Sequence, residues 1–419
     1  MSPSRPSRPP IVVAVALATG LAGLFAAAPA AAETRSVRLV VDDADLTTSP
    51  VEPAPALLTG TPDVSTDDWL ISSVRDPQIA FSAVGPHWKG VPGIEVQLSV
   101  SPDGVRWGRW IAVPPDEPIE STREDGEPNP FAGDTLGALV FVDPASRFLR
   151  CRIRRPAGVP DPDEPIRISL HVIDPGTSHA RGPTELAVRA TPAPAPPRAG
   201  LEVSGLPRRT VVPLPDVAIP VPGAAKPPVF SRAEWGARPP RTGYTFTLAR
   251  HVGIHHTATV EDWAADTWEE CAARVRAIQT FHIDTRGWND IGYAYVVCKH
   301  GHVFQAREDD DDTTDVQGAH DGFNRGSTGI SAFGYFHPPI DHQPTEAQLS
   351  AIAQLTAWIA SRRGIDPLGR SLYAAYGSPV DNVFGHRDVS PTACPGDNLY
   401  SRMEALRAAA RDRVRRRPF

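Results

Sequence analysis

No two cysteines in this sequence stand at Cys-x-x-Cys spacing; the four present, Cys151, Cys271, Cys298 and Cys394, are scattered along 419 residues. That excludes the paired thiolate knuckles from which most structural zinc modules are built. Beyond Ala28 no segment stays apolar for the ~20 residues a membrane-spanning helix needs, so a bundle of such helices is not encoded. Basic residues are in deficit, 42 Lys and Arg against 49 Asp and Glu, for a formal net charge of -7. With no excess of positive charge, nucleic acid is not the expected partner.

What the chain does have begins at its N-terminus. Residues 1–32 read as a signal peptide: Arg5 and Arg8 supply a positive start, Ile11 to Ala28 an apolar run, and Ala30-Ala31-Ala32 a small-residue cleavage site. The alternative is an uncleaved anchor, since the run approaches a membrane-spanning length. Either way the remainder is expected outside the cytoplasm, secreted or associated with the cell wall.

Composition divides the rest into three. Residues 33–180 carry short β-branched and aromatic runs separated by Pro, Gly and Asp, and predict a β-rich, sandwich-like unit. Within it, Val96 to Trp110 reads as two strands around an Asp103-Gly104 turn. Trp107 and Trp110 could stack on sugar rings, but strand aromatics more often fill a core. Residues 181–228 are proline-rich and read as an extended linker. Residues 229–419 alternate strand and helix patterns, predicting an α/β fold with a central mixed sheet flanked by helices. Cys271, Val275, Ile278 and His282 recur at helical spacing, with His282 read as a core histidine. Thr345-Glu-Ala-Gln348 has the form of a capping box before a second helix that Gly364 would stop. Glu308 to Asp312 reads as a solvated acidic loop. The arginines from Arg407 to Arg417 suit a basic helix end or contact with anionic cell-wall polymers.

The stretch that carries chemistry is Gly385-His386-Arg387-Asp388-Val389-Ser390-Pro391-Thr392-Ala393-Cys394-Pro395-Gly396-Asp397. It places an imidazole and a thiol eight residues apart in a segment too rich in Pro and Gly to be a continuous helix. A catalytic zinc wants three protein donors and a structural one four. The best source of a third is the His255-His256 pair far upstream. Those two are adjacent in a probable strand and point to opposite faces, so only one can meet a given metal.

Five segments occur in an order that resembles the peptidoglycan recognition protein family and the zinc-dependent N-acetylmuramoyl-L-alanine amidases that share its fold. They are Arg232-Ala-Glu-Trp-Gly-Ala237, Ile254-His-His-Thr257, Gly287-Trp-Asn-Asp-Ile-Gly-Tyr293, Gly318-Ala-His320 with Asn324, and Gly385-His-Arg-Asp388 followed by Thr392-Ala-Cys-Pro-Gly396. The resemblance covers roughly residues 226–405. It implies zinc held by His255, His386 and Cys394 with a fourth position open. It also implies Tyr293 and Thr392 as catalytic groups, and His256, His320 and Asn324 along a groove for a muramyl peptide of peptidoglycan. One amidase branch carries a catalytic Glu where this chain has Ser331, so the chain is assigned to the tyrosine branch. Two alternatives stand beside a monomeric amidase: a peptidoglycan-binding module without turnover, and a structural zinc completed by Cys298. With Cys394 on a metal, Cys271 and Cys298 are the preferred disulfide pair, and Cys151 reads as a buried apolar residue.

Overall fold

The computed structural model describes residues 33–415 except 42–68, 90–92, 117–118, 120, 122, 124–126, 157–165, 177–222, 261–264, 308–314 and 319–321. The signal-like segment, most of the proline-rich stretch, the acidic run and His320 therefore lie outside the described residues.

Nine strands form two antiparallel sheets. One contains β1 (Glu33–Val41), β9 (Ile166–Asp174), β3 (Phe81–Lys89) and β6 (Thr135–Leu136) in that order, with β7 (Val140–Ser146) also pairing β3. The other runs β2 (Leu70–Ile71), β8 (Phe148–Arg154), β4 (Glu95–Ser101), β5 (Ile111–Val113). Alternation in β8 buries Leu149, Cys151 and Ile153, which join Val84, Trp88 and Leu170 from the first sheet in one apolar cluster. Cys151 is thus a packed thiol, and burial pushes its pKa up to about 11. Gly104 takes φ +74° in the turn after β4, where Asp103 accepts hydrogen bonds from the Val105 and Arg106 amides. Trp107 and Trp110 are not core residues. They stand half-buried on the outer sheet face, with the Arg150 guanidinium 4.3 and 4.9 Å from their ring centroids and Arg152 4.6 Å from Trp110. Alternation decides this: β8 sends its arginines outward, and the indoles cover their stems.

The second half is built on a six-stranded mixed sheet, ordered β10 (Val229–Phe230), β14 (Val303–Gln305), β13 (Tyr295–Val297), β16 (Ser327–Ala332), β12 (His251–His256) and β19 (Val383–Gly385). Helix α1 (Arg232–Trp235) ends on Gly236 at φ +74°, and the buried Trp235 indole donates to the Gln305 carbonyl at 2.7 Å. Helix α2 (Trp268–Phe281) opens with a Thr267–Glu270 capping box and covers one face of the sheet, followed by a π turn at His282–Arg286. Its Cys271, Val275 and Ile278 pack with Val296 and Phe304, and also with Leu136, Leu139 and Phe141 of the first half. One apolar cluster centred on this helix therefore draws residues from both halves.

Helices α3 (Glu346–Arg363) and α5 (Met403–Arg415) cover the opposite face through Ile352, Leu355, Ile359 and Leu406 against Val252, Ile254 and Ile330. Thr345 caps α3 by accepting from the Gln348 amide, and Gly364 closes it at φ +65°. Gln348 departs from the capping box. Its side chain turns inward and donates to the carbonyls of Val297 and Phe333, both at 3.0 Å, joining the Phe333 amide on the first of them. The residues around 223–228 are not a free spacer: the Ala224 amide donates to Ser361 Oγ, and Lys226 lies over the Trp358 ring. In α5, Arg407 pairs with Asp381 and Arg411 with Asp366, so these arginines tie the helix to its own domain. No helix among the described residues is long and apolar enough to cross a membrane.

Candidate metal centre and groove

His255 lies next to the end of β12, and strand alternation sends it to the sheet face that α2 covers, while His256 goes to the other. Its ring meets Tyr293 and His386 at centroid distances of 5.6 and 4.7 Å. His386 begins a short 3-10 turn, His386–Asp388, directly after β19, the strand hydrogen-bonded to β12. Cys394 arrives on the loop that returns from this turn. The Arg387 amide donates to the Cys394 carbonyl at 2.9 Å, while its guanidinium donates to the Ala393 carbonyl and pairs with Asp397. Asp388 accepts from the Gly385 amide at 2.9 Å and the Tyr400 hydroxyl at 2.5 Å, holding the other end. Gly396, at φ +85°, lets the loop pass the backbone of Phe336, which a Cβ would approach to 2.8 Å.

The ligand atoms of His255, His386 and Cys394 all lie within 4.8 Å of one another, on residues exposed by only 1, 2 and 7 %. Cys394 Sγ stands 3.6 Å from His255 Nδ1 and accepts from the His256 amide at 3.4 Å. Two imidazole nitrogens and one thiolate suit zinc, and their closeness is near what bonds of about 2.0–2.3 Å to one ion impose. The set has three members and opens onto a cavity of about 300 Å³, as a site with an open coordination position requires. Cys298 is not near it; that thiol sits with Cys271 and His302 in a separate cluster, which disposes of a fourth ligand from Cys298. Cys271 and Cys298 are free thiols here, sharing a hydrogen bond instead of a covalent one.

Tyr293 and Thr392 both line the cavity. The Tyr293 hydroxyl donates to the His256 carbonyl at 3.2 Å, and Thr392 Oγ1 accepts from the Cys394 amide at 3.1 Å. His256 lines it from the other bank beside Tyr335, Phe336 and His337. Burial, helped by the positive fields of His337, Arg387 and His386, holds its pKa well below the usual imidazole range, so the ring is neutral. His282 is both a packed and a lining residue. Its Nδ1 accepts from the Gly292 amide at 3.1 Å, and burial with Arg286 and Arg307 keeps it neutral. Asn324 does not reach the cavity; its carbonyl accepts from Ser327 in a turn. Ser331, opposite His255 in the register, has a buried hydroxyl without a hydrogen bond among the described residues. Sequence reasoning left Asp388, Arg387 and Trp288 without roles, although all three sit in the motifs that carry His386 and Tyr293.

A family profile described as N-acetylmuramoyl-L-alanine amidase matches residues 246–397, the stretch that supplies all three candidate ligands. The chain is 33 % identical over 177 residues to peptidoglycan-recognition protein SC2 of Drosophila melanogaster, covering 41 % of this chain and 83 % of that protein. The chain belongs to the peptidoglycan recognition protein family. It is also 34 % identical over 178 residues to the human N-acetylmuramoyl-L-alanine amidase, covering 42 % of this chain and only 27 % of that one, about a quarter of its length. Among solved structures, Drosophila PGRP-LB shares 30 % identity with a TM-score of 0.34, over 42 % of this chain and 93 % of that one. The ectodomain complex of peptidoglycan recognition proteins LCa and LCx bound to tracheal cytotoxin shares 32 % at a TM-score of 0.35, over 42 % and 94 %. Residues before 246 lie outside the family profile's match.

Proposed function

We propose that this chain is a secreted, zinc-dependent amidase that hydrolyses the bond between the lactyl group of N-acetylmuramic acid and L-alanine of the peptidoglycan stem. In this reading residues 1–32 direct export, 33–180 form a β-rich unit, 181–228 connect, and 229–419 carry the chemistry. The single observation that supports it most is Cys394: it completes a buried three-donor set beside a cavity and leaves one coordination position for substrate and water.

His255, His386 and Cys394 would hold a zinc ion, which when bound would supply Lewis acidity toward the amide carbonyl and acidify water. The chain's own groups do the rest. Thr392 Oγ1 already accepts from the Cys394 amide, so its proton remains available to donate to the carbonyl oxygen as charge develops there. Tyr293 is anchored through its proton to the His256 carbonyl, which leaves phenolic lone pairs to accept from the attacking water and fix its approach. A phenol is too weak a base at neutral pH to remove that proton outright, so orientation is its task. Neutral His256 and the rings around it present an apolar wall with one polar edge. Water adds to the carbonyl carbon, the C–N bond breaks, and the stem leaves with a free α-amine.

A reading as a pure binding module differs in its response to chelation. Treatment with EDTA is expected to stop product formation by this protein while wall binding persists, and added zinc to restore turnover. Turnover that continues in the stripped protein would defeat the metal assignment.

A further inference from the structure

The cavity is not lined by the family-matched stretch alone. Pro115, Asp116 and Leu139, all from the first half of the chain, form part of its wall. Asp116 follows β5, and its amide donates to the Leu136 carbonyl at 2.8 Å. Its carboxylate receives Arg286 Nη2 at 2.8 Å, from the π turn after α2 on one bank, and that pair is nearly dry, 18 % and 4 % exposed. On the other bank stands Tyr335, which lines the cavity and also belongs to the apolar cluster of the first half. Burial and, after it, the negative charge of Asp116 push Tyr335 up to about 12, so the carboxylate lies within electrostatic reach of both banks.

This crossing is fixed, not loosely draped. Asn129 Nδ2 donates to the Arg286 carbonyl at 2.8 Å, so residues of the first half grip Arg286 at side chain and backbone. Val260, just past the His255 strand, exchanges hydrogen bonds with Leu139 and Phe141, both at 2.9 Å. Arg276 of α2 donates to the Pro175 and Gly176 carbonyls. Gly85 lies so close to Phe281 that a Cβ would meet its ring at 2.5 Å.

We propose that the Pro115–Asp116 segment, backed by Leu139, is a strap that closes one end of the groove and makes the site selective for short, uncross-linked muramyl peptides over cross-linked wall polymer. The proposal rests on the reading of the groove as a muramyl-peptide site. A cavity of about 300 Å³ is at the small end of ligand pockets. A cross-linked stem carries a second peptide branch and must leave the groove at both ends; a monomeric stem needs only one. The ion pair closes the strap with its charge cancelled, so the wall excludes by shape and does not attract by charge.

The test compares binding and hydrolysis of a soluble monomeric muramyl tetrapeptide and of purified cross-linked sacculi, by the full chain, by Asp116→Ala and by Asp116→Glu. Binding is read with EDTA present, hydrolysis with zinc. The full chain is expected to prefer the monomer by at least about tenfold, a typical discrimination for a steric boundary. Asp116→Ala should bring that preference down about fivefold or more, mostly through KM for sacculi, and Asp116→Glu should restore it. A full chain with no preference overturns the strap, as does an Asp116→Ala variant that keeps the full preference. Stem release with an unchanged preference sinks the strap alone. A preference in binding without any stem release sinks the amidase reading and leaves the strap standing.

Discussion

At the scale of residues, the site separates groups that hold a metal from groups that hold substrate atoms. Tyr293 meets the His255 ring in a tilted contact with centroids 5.6 Å apart and spends its proton on a backbone carbonyl, so it is not expected to influence metal retention. Tyr293→Phe should lower the hydrolysis rate by roughly 10²-fold, the lower range for loss of a positioned hydroxyl, with zinc content unchanged by elemental analysis. Loss of the metal in that variant would reassign the residue.

A second expectation concerns His282, whose folded-state pKa is depressed by burial and by Arg286 and Arg307. A depressed histidine contributes stability that is present above its unfolded value near 6.5 and is lost as pH falls, because the unfolded chain then binds a proton the folded one refuses. The loss approaches about 1.4 kcal/mol per pH unit for such a group. Melting temperatures measured from pH 7.5 to 5.5 should fall, and His282→Gln should flatten that slope. An identical slope in the variant would mean that other histidines carry it.

The ligand residues were legible because their types and order match a family pattern, and His255 could be separated from His256 only through that pattern. Strand alternation says that one of the two faces the metal and cannot say which. Asp290 shows the opposite case. It sits in the same quoted motif as Tyr293, yet it is fully buried, pairs with Arg232 and accepts from Gln279 and the Ile291 amide. Its place in the motif reflects folding of the α1 region, and spacing alone does not tell that from chemistry.

At the scale of elements, α3 illustrates what local pattern predicts and what the sheet overrides. Thr345 and Gly364 set both ends, as their residue types dictate. Gln348 was expected to cap and instead satisfies two carbonyls from different segments, a long-range demand invisible in a four-residue signature. Gln348→Ala leaves the Val297 carbonyl with the Phe333 amide but takes the side-chain donor from the buried Phe333 carbonyl, so it should cost about 1–3 kcal/mol in chemical denaturation. A loss of only a few tenths, typical of a surface helix position, would show that the contact contributes little. The helix α2 was likewise anticipated from its apolar spacing. That its face joins a single cluster drawn from both halves was not, because periodicity reports that a face is buried and not by what.

At the scale of the whole molecule, the two halves meet along α2, the π turn and Val260, and the first half contributes to the groove wall. The sequence reads as a β-rich unit joined by a spacer, since composition marks boundaries but carries no record of docking across them. The position of Asp116 against Arg286, 170 residues apart, could be found only once both halves were folded. The central claim, a zinc amidase centred on His255, His386 and Cys394, is tested most directly by mass spectrometry of purified peptidoglycan digested with the zinc-retaining full chain and with Cys394→Ala. The account predicts stem peptides with a free N-terminal L-alanine, intact glycan strands, and no such peptides from the variant. Zinc-retaining protein that releases no stem peptide, or a Cys394→Ala variant that releases them at the full rate, would contradict it.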